Sequence, residues 1–347
     1  MEIYIYDSHR KVAGIIESYE YLRWTRRYSR SGSFELKAIA TNENIALLQI
    51  GYILWKNDDD EAGLIEFLEM TMQEQEFIVV SGRFATSFMA RRIIYGTYNL
   101  TGDLGVAVQS LVVGNLTAPN DNTRRIDNIT YTSPALGIAV KSQVSWRNLM
   151  ETVCDLCETS DVGIKTVFEP QVGQFIITLY QGADVHAVFS KEYENVIDQV
   201  FTQSVADYAT FAMVGGEGEG SERITVPIGD GSGEGRYEIF VDAKDLQSAD
   251  FPDDYTDALI FRGQQKLAEQ AMVQAFDATV NQYGNLTYKV DFDLGSRIQA
   301  ISKRWGVNMT ARITELEESY DRDGMSLSVT FGKPLLTLTQ QINKKLS

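Results

Sequence analysis

The stretch GLIEFLEMTMQEQEFIVVSGR, from Gly63 to Arg83, constrains the fold most, because a similar one returns as ARITELEESYDRDGMSLSVTFGK, from Ala311 to Lys333. Each holds two runs in which apolar and polar side chains alternate, joined by a charged turn and closed by Gly and a cation. Period-two alternation belongs to a half-buried strand, so each stretch reads as an antiparallel hairpin. The spacing supports a duplication. Gly51 and Gly295 lie 244 residues apart, Ile65, Leu68 and Glu69 precede Ile313, Leu316 and Glu317 by 248, and Gly82 precedes Gly332 by 250. These offsets change by loop-sized steps, and an even step at the second turn keeps every side chain on its own face of the sheet.

Around the hairpins the chain divides into segments of different texture. Met1 to Ile94 is strand-rich (EIYIYD, GSFELKAIA, YILWKND), with turn signals at Ser31-Gly32 and Asn57–Glu61, and a short helix over NENIALLQ that Asn42 can cap. Tyr95 to Ser190 reads as mixed α/β: DLGVAVQSLVV suits a helix, and so does SWRNLMETVCDLCETS, with Ser145 as cap and Trp146, Leu149, Val153 and Leu156 on one face. GIKTVFEP and GQFIITLYQG follow as a hairpin. The runs YENV and DYATFAMVGG then supply the first strands of a second β domain, parallel to YEYLRW and GSFELKA of the first. That places an insertion at 217–283, rich in Gly and acid and ending in a helix over DALIFRGQQKLAEQAMVQAF, before strands resume at NLTYKVDFDLG.

Composition narrows the function classes. With 347 residues the chain has room for about two or three domains. Its 48 carboxylates against 31 Lys and Arg give a net charge of −17, which argues against a nucleic-acid binder and for solubility, or for a surface that does not hold DNA. The N-terminus, MEIYIYDSHRKVAG, lacks the apolar core of a signal peptide, and no uninterrupted apolar run reaches the ~18 residues of a membrane span. Two cysteines build no disulfide framework, as in a chain made in a reducing cytoplasm.

No set of residues specifies catalysis, and no catalytic, cofactor-binding or metal-binding residue is assigned. His9 and His186 are far apart and belong to no zinc-binding motif. Cys154 and Cys157 are one helical turn apart beside Leu149, Met150 and Val153, the setting of small buried hydrophobes; a structural zinc site needs a second ligand pair. GEGEGSER and GDGSGEGR lack the Lys-Ser/Thr of a phosphate loop and carry carboxylates that would repel phosphate. Asp58–Glu61 lacks calcium-loop spacing and reads as a solvated hairpin tip. There is no G-x-S-x-G elbow. A structural or binding protein is expected, not an enzyme.

The passage DYATFAMVGGEGEGSERITV followed by GEGRYEIFVDAKDL, with WTRRY…GSFEL and LLQIGYIL nearer the N-terminus, resembles the siphophage tail-hub, or tail-associated, proteins, which are related to the T4-type baseplate hub. The resemblance implies a β-rich α+β fold. It would comprise a tube-type antiparallel β-barrel at 1–94, a mixed α/β domain at 95–190, and a second tube-type barrel made of 191–216 and 284–347, split by the 217–283 insertion. It further implies a homotrimer at the virion tail tip that adapts a sixfold tube to a threefold tip and leaves a channel for DNA. Its partners would be the distal tail ring protein, the tail tube, the tape-measure protein and tail fibre or receptor-binding proteins, with DNA only in passage and no stable membrane insertion. The chain stops at Ser347, so the lysin or fibre extension of some family members is not implied. Hubs of contractile tails, phage-tail-like bacteriocins or secretion spikes share this architecture. A cell-wall carbohydrate-active enzyme or binding module is the alternative of a different class. Glu66, Glu69, Glu315 and Glu317, at matching hairpin positions, are the carboxylates expected to line the channel.

Overall fold

The computed structural model describes residues 1–72 and 75–332. The N-terminal part carries β1 (Ile3–Tyr6), β2 (Val12–Ile16), β3 (Tyr21–Arg27), β4 (Ser33–Ile39), α1 (Asn42–Leu47), β5 (Ile53–Lys56), β6 (Ala62–Leu64), β7 (Phe67–Met72) and β8 (Glu76–Arg83). These strands form two layers, β2-β1-β5-β6 and β3-β4-β8-β7. Alternation makes the layers stick: Leu22, Trp24, Phe34, Leu36, Ile78 and Val80 point inward and meet Ile3, Ile5, Leu54 and Ile65 in one buried cluster.

The middle part comprises β9 (Thr97–Asp103), α2 (Leu104–Val112), β10 (Ile129–Thr132), β11 (Ala139–Ser145), α3 (Leu149–Thr159), β12 (Gly163–Glu169) and β13 (Gln174–Tyr180). As expected, β12 and β13 form an antiparallel hairpin. The core of this part runs without a break into Tyr6, Ile53, Ala62 and Leu64, so no core ends at residue 94, which lies in the connection leading to β9.

The chain continues through β14 (Asp184–Ser190), β15 (Val196–Ser204), β16 (Phe211–Gly215), β17 (Thr225–Gly229), β18 (Glu238–Asp242), α4 (Tyr255–Glu269), β19 (Val273–Val280), β20 (Arg297–Ser302), β21 (Val307–Asp321) and β22 (Gly324–Gly332). The two repeated hairpins are β7–β8 and β21–β22. Their entries also match in hydrogen bonding. The Gly51 amide donates to the Ile65 carbonyl at 2.8 Å and the Ile65 amide to Tyr52 at 2.9 Å; Gly295 donates to Ile313 at 2.9 Å and Ile313 to Ser296 at 2.8 Å. Gly51 and Gly295 hold φ of +84° and +83°, a backbone that glycine adopts at least cost. Gly82 and Gly332 do not share a register. Val80 lies opposite Leu68 and Val329 opposite Leu316, two and three residues before their glycines, and a bulge between Ile313 and Glu315 takes up the difference.

Several local expectations are corrected. Phe211–Gly215 pairs with β17 and β18 in a small sheet covered by α4, and takes no part in the second β layer. The place expected for it belongs to β19, which lies between β15 and β22. Consequently the expected long helix ends at Glu269, and its last residues become a strand; the core of the β layer claims Phe276 and Ala278, a long-range contact that outweighs helix propensity. NLTYKVDFDLG forms turns with a single Tyr288–Phe292 bridge and no strand. Helix α1 is capped by the Thr41 hydroxyl, which accepts from Asn44, not by Asn42. Helix α3 starts at Leu149, capped by Asn148, and Ser145 ends β11 instead. Trp146 therefore lies outside the helix, exposed, with a positive φ.

The Asn148 side chain accepts from the amides of Met150 and Glu151 and donates to the Ala90 carbonyl. Asn148→Ala should lower stability by about 1–2 kcal/mol. Ser145→Ala should stay within about 0.5 kcal/mol. Urea midpoints of the two variants check the difference.

Candidate functional site

The layer β3-β4-β8-β7 and its counterpart in the second copy, β15-β19-β22-β21, form one continuous sheet, in the order β15-β19-β22-β21-β3-β4-β8-β7. The join is the antiparallel pairing of β21 with β3: Leu316 faces Arg26, Glu318 faces Trp24 and Tyr320 faces Leu22. Beneath it lies a buried polar network. Lys56 Nζ, fully buried, donates to Glu318 Oε2 at 2.6 Å and meets Asp58 Oδ1 at 2.9 Å. The hydroxyls of Tyr320 and Tyr288 donate to the two oxygens of Glu318 at 2.6 and 2.7 Å. Arg26 donates to Tyr288 and to Asp293, while Asp59 accepts from the Trp24 indole at 3.1 Å. The run expected to be a solvated tip thus supplies part of an internal junction, because the chain folds Asp59 and Glu61 beneath the sheet.

Burial opposes the charges on Lys56 and Glu318, but each partner outweighs it, so the lysine is held above and the carboxyl below its ordinary range. Glu61 goes the other way. Burial, then the nearby Asp59, pushes its carboxyl up to about 8, against the pull of Arg26 and the Thr166 amide.

Among the described residues the sheet ends on two strands without a partner on the outer side, β7 and β15. Apolar side chains stand exposed along both: Met70 is 51% exposed and Met72 76%, with Ile197 and Val200 also open on β15. Of the four carboxylates expected at a channel wall, Glu315 pairs with Arg27 at 2.6 Å and Glu66 with Arg83 at 2.8 Å. Glu317 accepts from Thr25 across the join, and among the described residues Glu69 forms no ion pair. Arginines therefore offset part of this acidity. No sequence signal pointed to the two open edges, because edge status depends on what pairs with what.

The remaining singled-out residues do not assemble. His9 and His186 are exposed on separate elements. Cys154 and Cys157 are buried on α3, and burial raises the Cys154 thiol to about 12. The two Gly-rich runs are exposed connections flanking β17. Among the described residues no group of three potential ligands is placed to hold a metal, and no helix is long and apolar enough to cross a membrane.

Removing the Lys56 head group leaves the buried Glu318 with only the Lys289 ammonium, 3.9 Å away, as a counter-charge, so Lys56→Met should destabilise by about 3 kcal/mol in chemical denaturation. The pH dependence tests Glu61. Its folded form holds a proton that the unfolded chain releases near its ordinary 4.5, so its contribution to stability is present below that pH and is lost as pH rises toward about 8. Glu61→Gln should remove this loss, a relative gain on the order of 3 kcal/mol between about pH 5 and pH 8.

Comparison with known proteins fits this architecture. No curated protein sequence matches the chain. Among solved structures it is similar to the 43 kDa tail protein of prophage MuSo2 from Shewanella oneidensis, with TM-score 0.64 and 16% identity over 96% of this chain and 99% of that one. It is also similar to prophage tail protein gp18 from Listeria monocytogenes EGD-e, with TM-score 0.60 and 12% identity over 100% of both chains. A chain of the Francisella PdpA-VgrG complex matches with TM-score 0.54 and 9% identity, over 96% of this chain and 52% of that one. At these identities the likeness establishes a shared fold. The profile of the siphovirus ReqiPepy6 Gp37-like proteins matches residues 2–333, and the chain accordingly belongs to this siphovirus tail protein family.

Proposed function

We propose that this tail protein is a structural hub of the tail tip, without catalytic activity of its own, in which three copies close the long sheet into a ring at the distal end of the tail tube. The observation that carries the reading is the order of the sheet. Matching the repeated ladders, β15-β19-β22-β21 corresponds strand for strand to β3-β4-β8-β7. The β21–β3 join inside one chain is therefore a template for β7 of one copy meeting β15 of the next. Three copies supply six such four-stranded arcs, which suits a threefold assembly facing a sixfold tube. Closure also removes the unpaired edges, which otherwise invite aggregation.

The template fixes a register. Leu68 lies opposite Val80 and Leu316 opposite Val329; Trp24 lies opposite Phe34 and Phe201 opposite Phe276. Since Glu318 faces Trp24 in the existing join, Met70 should face Phe201 of the neighbouring copy, and Met72 should face Gln199. That contact would cover the apolar side chains now exposed on β7. The ring would enclose a passage for DNA whose wall carries carboxylates partly offset by Arg27 and Arg83, repelling phosphate only weakly. The distal tail ring, the tube, the tape-measure protein and tail fibre or receptor-binding proteins are the partners such a hub meets at the virion tail tip.

A Met70→Cys, Phe201→Cys double variant tests the ring. Under mild oxidation it should give covalent trimers, whereas either single variant should not. A hub occupied by one or six copies, or trimers that never cross-link at this pair, would sink the proposal.

A further inference from the structure

Three segments of the chain meet beside the start of α3. The backbone of Arg92–Tyr95 runs alongside Trp146–Leu149: the Ile94 amide donates to Arg147 at 2.9 Å, Leu149 to Arg92 at 2.9 Å, and Trp146 to Ile94 at 3.1 Å. The rings of Tyr95 and Trp146 lie 5.7 Å apart, and the Arg124 guanidinium sits 3.6 Å over the Tyr95 ring. Arg124 Nη2 donates to the Ile93 carbonyl at 2.6 Å, and Arg92 Nε to the Arg124 carbonyl at 2.6 Å. We infer that this patch docks a segment of a different protein, one that presents carboxylates beside an apolar side chain.

Charge is the first ground. The chain carries 48 carboxylates and 31 Lys and Arg, so a cation here has a partner available in most places. Arg125 follows that pattern, pairing with Asp127 at 2.9 Å. Among the described residues Arg91, Arg92, Arg124 and Arg147 form no ion pair, and Arg92 and Arg124 are held by backbone carbonyls instead. Burial and then the neighbouring Arg124 and Arg91 depress the pKa of Arg92, as expected where like charges gather. Asp121 acts on Arg124 and Glu66 on Arg91 through space, but among the described residues neither forms an ion pair with these arginines. A guanidinium fixed in this way still has free N–H donors, and a carboxylate is the group that best uses them.

Exposure and backbone conformation are the second ground. Ile93 is 44% exposed, Tyr95 51% and Trp146 64%; the Tyr95 and Trp146 rings adjoin one another, and Ile93 lies two residues before Tyr95 on the paired segment, bridged to Asn148. Trp146 keeps φ at +55°, a region where a bulky side chain is a genuine outlier and glycine is at ease. An exposed indole held against its backbone preference gains little from its own fold, which points to a role outside it. Trp, Tyr and Arg are also the side chains that carry most binding energy at protein interfaces. A polyphosphate or nucleic acid fits less well. Its dense charge is repelled by a protein of net −17, and it leaves Ile93 uncovered, whereas a short acidic segment serves both features.

Panning a random peptide library displayed on filamentous phage against the full chain provides the test. Enriched peptides should carry Asp or Glu beside an aromatic or aliphatic residue. Their Kd should weaken by about tenfold or more for the Arg91→Glu, Arg147→Glu double variant and for Trp146→Gly, and stay unchanged for the distant Arg304→Glu. Trp146→Gly should melt no lower than the wild type. Four results would overturn the inference: enriched peptides free of acid, peptide binding indifferent to the variants, a polyphosphate chain that binds these residues more tightly than any peptide, or a melting temperature that falls with Trp146→Gly. So would loss of self-association in the variants with subunit cross-linking otherwise intact in the wild type, which would assign the patch to contacts between copies.

Discussion

The ladder between β21 and β3 is the contact on which the rest of the molecule depends. Two β layers encoded far apart become one sheet there, and the pairing places Glu318 directly over the Lys56 ammonium. A buried ion pair of this kind contributes little net stability, because desolvation offsets most of the attraction. What it supplies is register. Sliding the strands by one residue would turn Glu318 to the opposite face and leave the buried Lys56 with Asp58 as its one remaining ion-pair partner among the described residues. The tyrosines and Asp59 complete the hydrogen bonding on both sides, so the network tolerates one alignment.

Tyr28, at the end of β3, extends this control to the middle part of the chain. Its hydroxyl accepts from the Gly182 amide at 2.9 Å and donates to the Asp161 carbonyl at 3.2 Å, and its own amide donates to Thr314 at 3.0 Å. Arg312 lies over the Tyr28 ring and binds the Asp161 carboxylate. One buried aromatic therefore touches all three regions. Because the core of the middle part also takes in Tyr6, Ile53, Ala62 and Leu64 of the N-terminal part, the orientation of the duplicated layers is set by packing on several sides and not by the ladder alone.

The acidity of the chain is distributed less simply than its net charge suggests. Carboxylates on the face away from the core are often matched by arginine, as with Glu35 and Arg23, Glu66 and Arg83, and Glu315 and Arg27. Surface pairs like these add little stability each, but they reduce the field that a neighbouring polyanion meets. Local matching of charge thus coexists with a net charge of −17, and a cluster of arginines that forms no ion pair among the described residues stands out against it.

The duplication, the hairpins at both ends and the strand-rich character were legible in the sequence, because period-two alternation and glycines at fixed turns are local signals. Gly51 and Gly295 adopt nearly the same left-handed φ, as two copies of one turn require. The buried thiols on α3 were legible for the same reason, since neighbours three and four residues away define a helix face. Tertiary structure decided what local pattern leaves open. Whether Val273–Val280 is helix end or strand depends on Phe331 and Val329 waiting across the sheet. Asn148 displaced Ser145 as cap because β11 extends to pair with β9, and Trp146 left the helix face as a result. The burial of Asp59 and Glu61 follows from residues distant in the chain: Trp24 and Arg26 hold the Asp59 carboxylate, and the Thr166 amide, 105 positions on, donates to Glu61. Which strands remain as open edges is likewise a property of the whole sheet: β7 and β21 have similar sequences, and only the position of β3 beside one of them makes the other free.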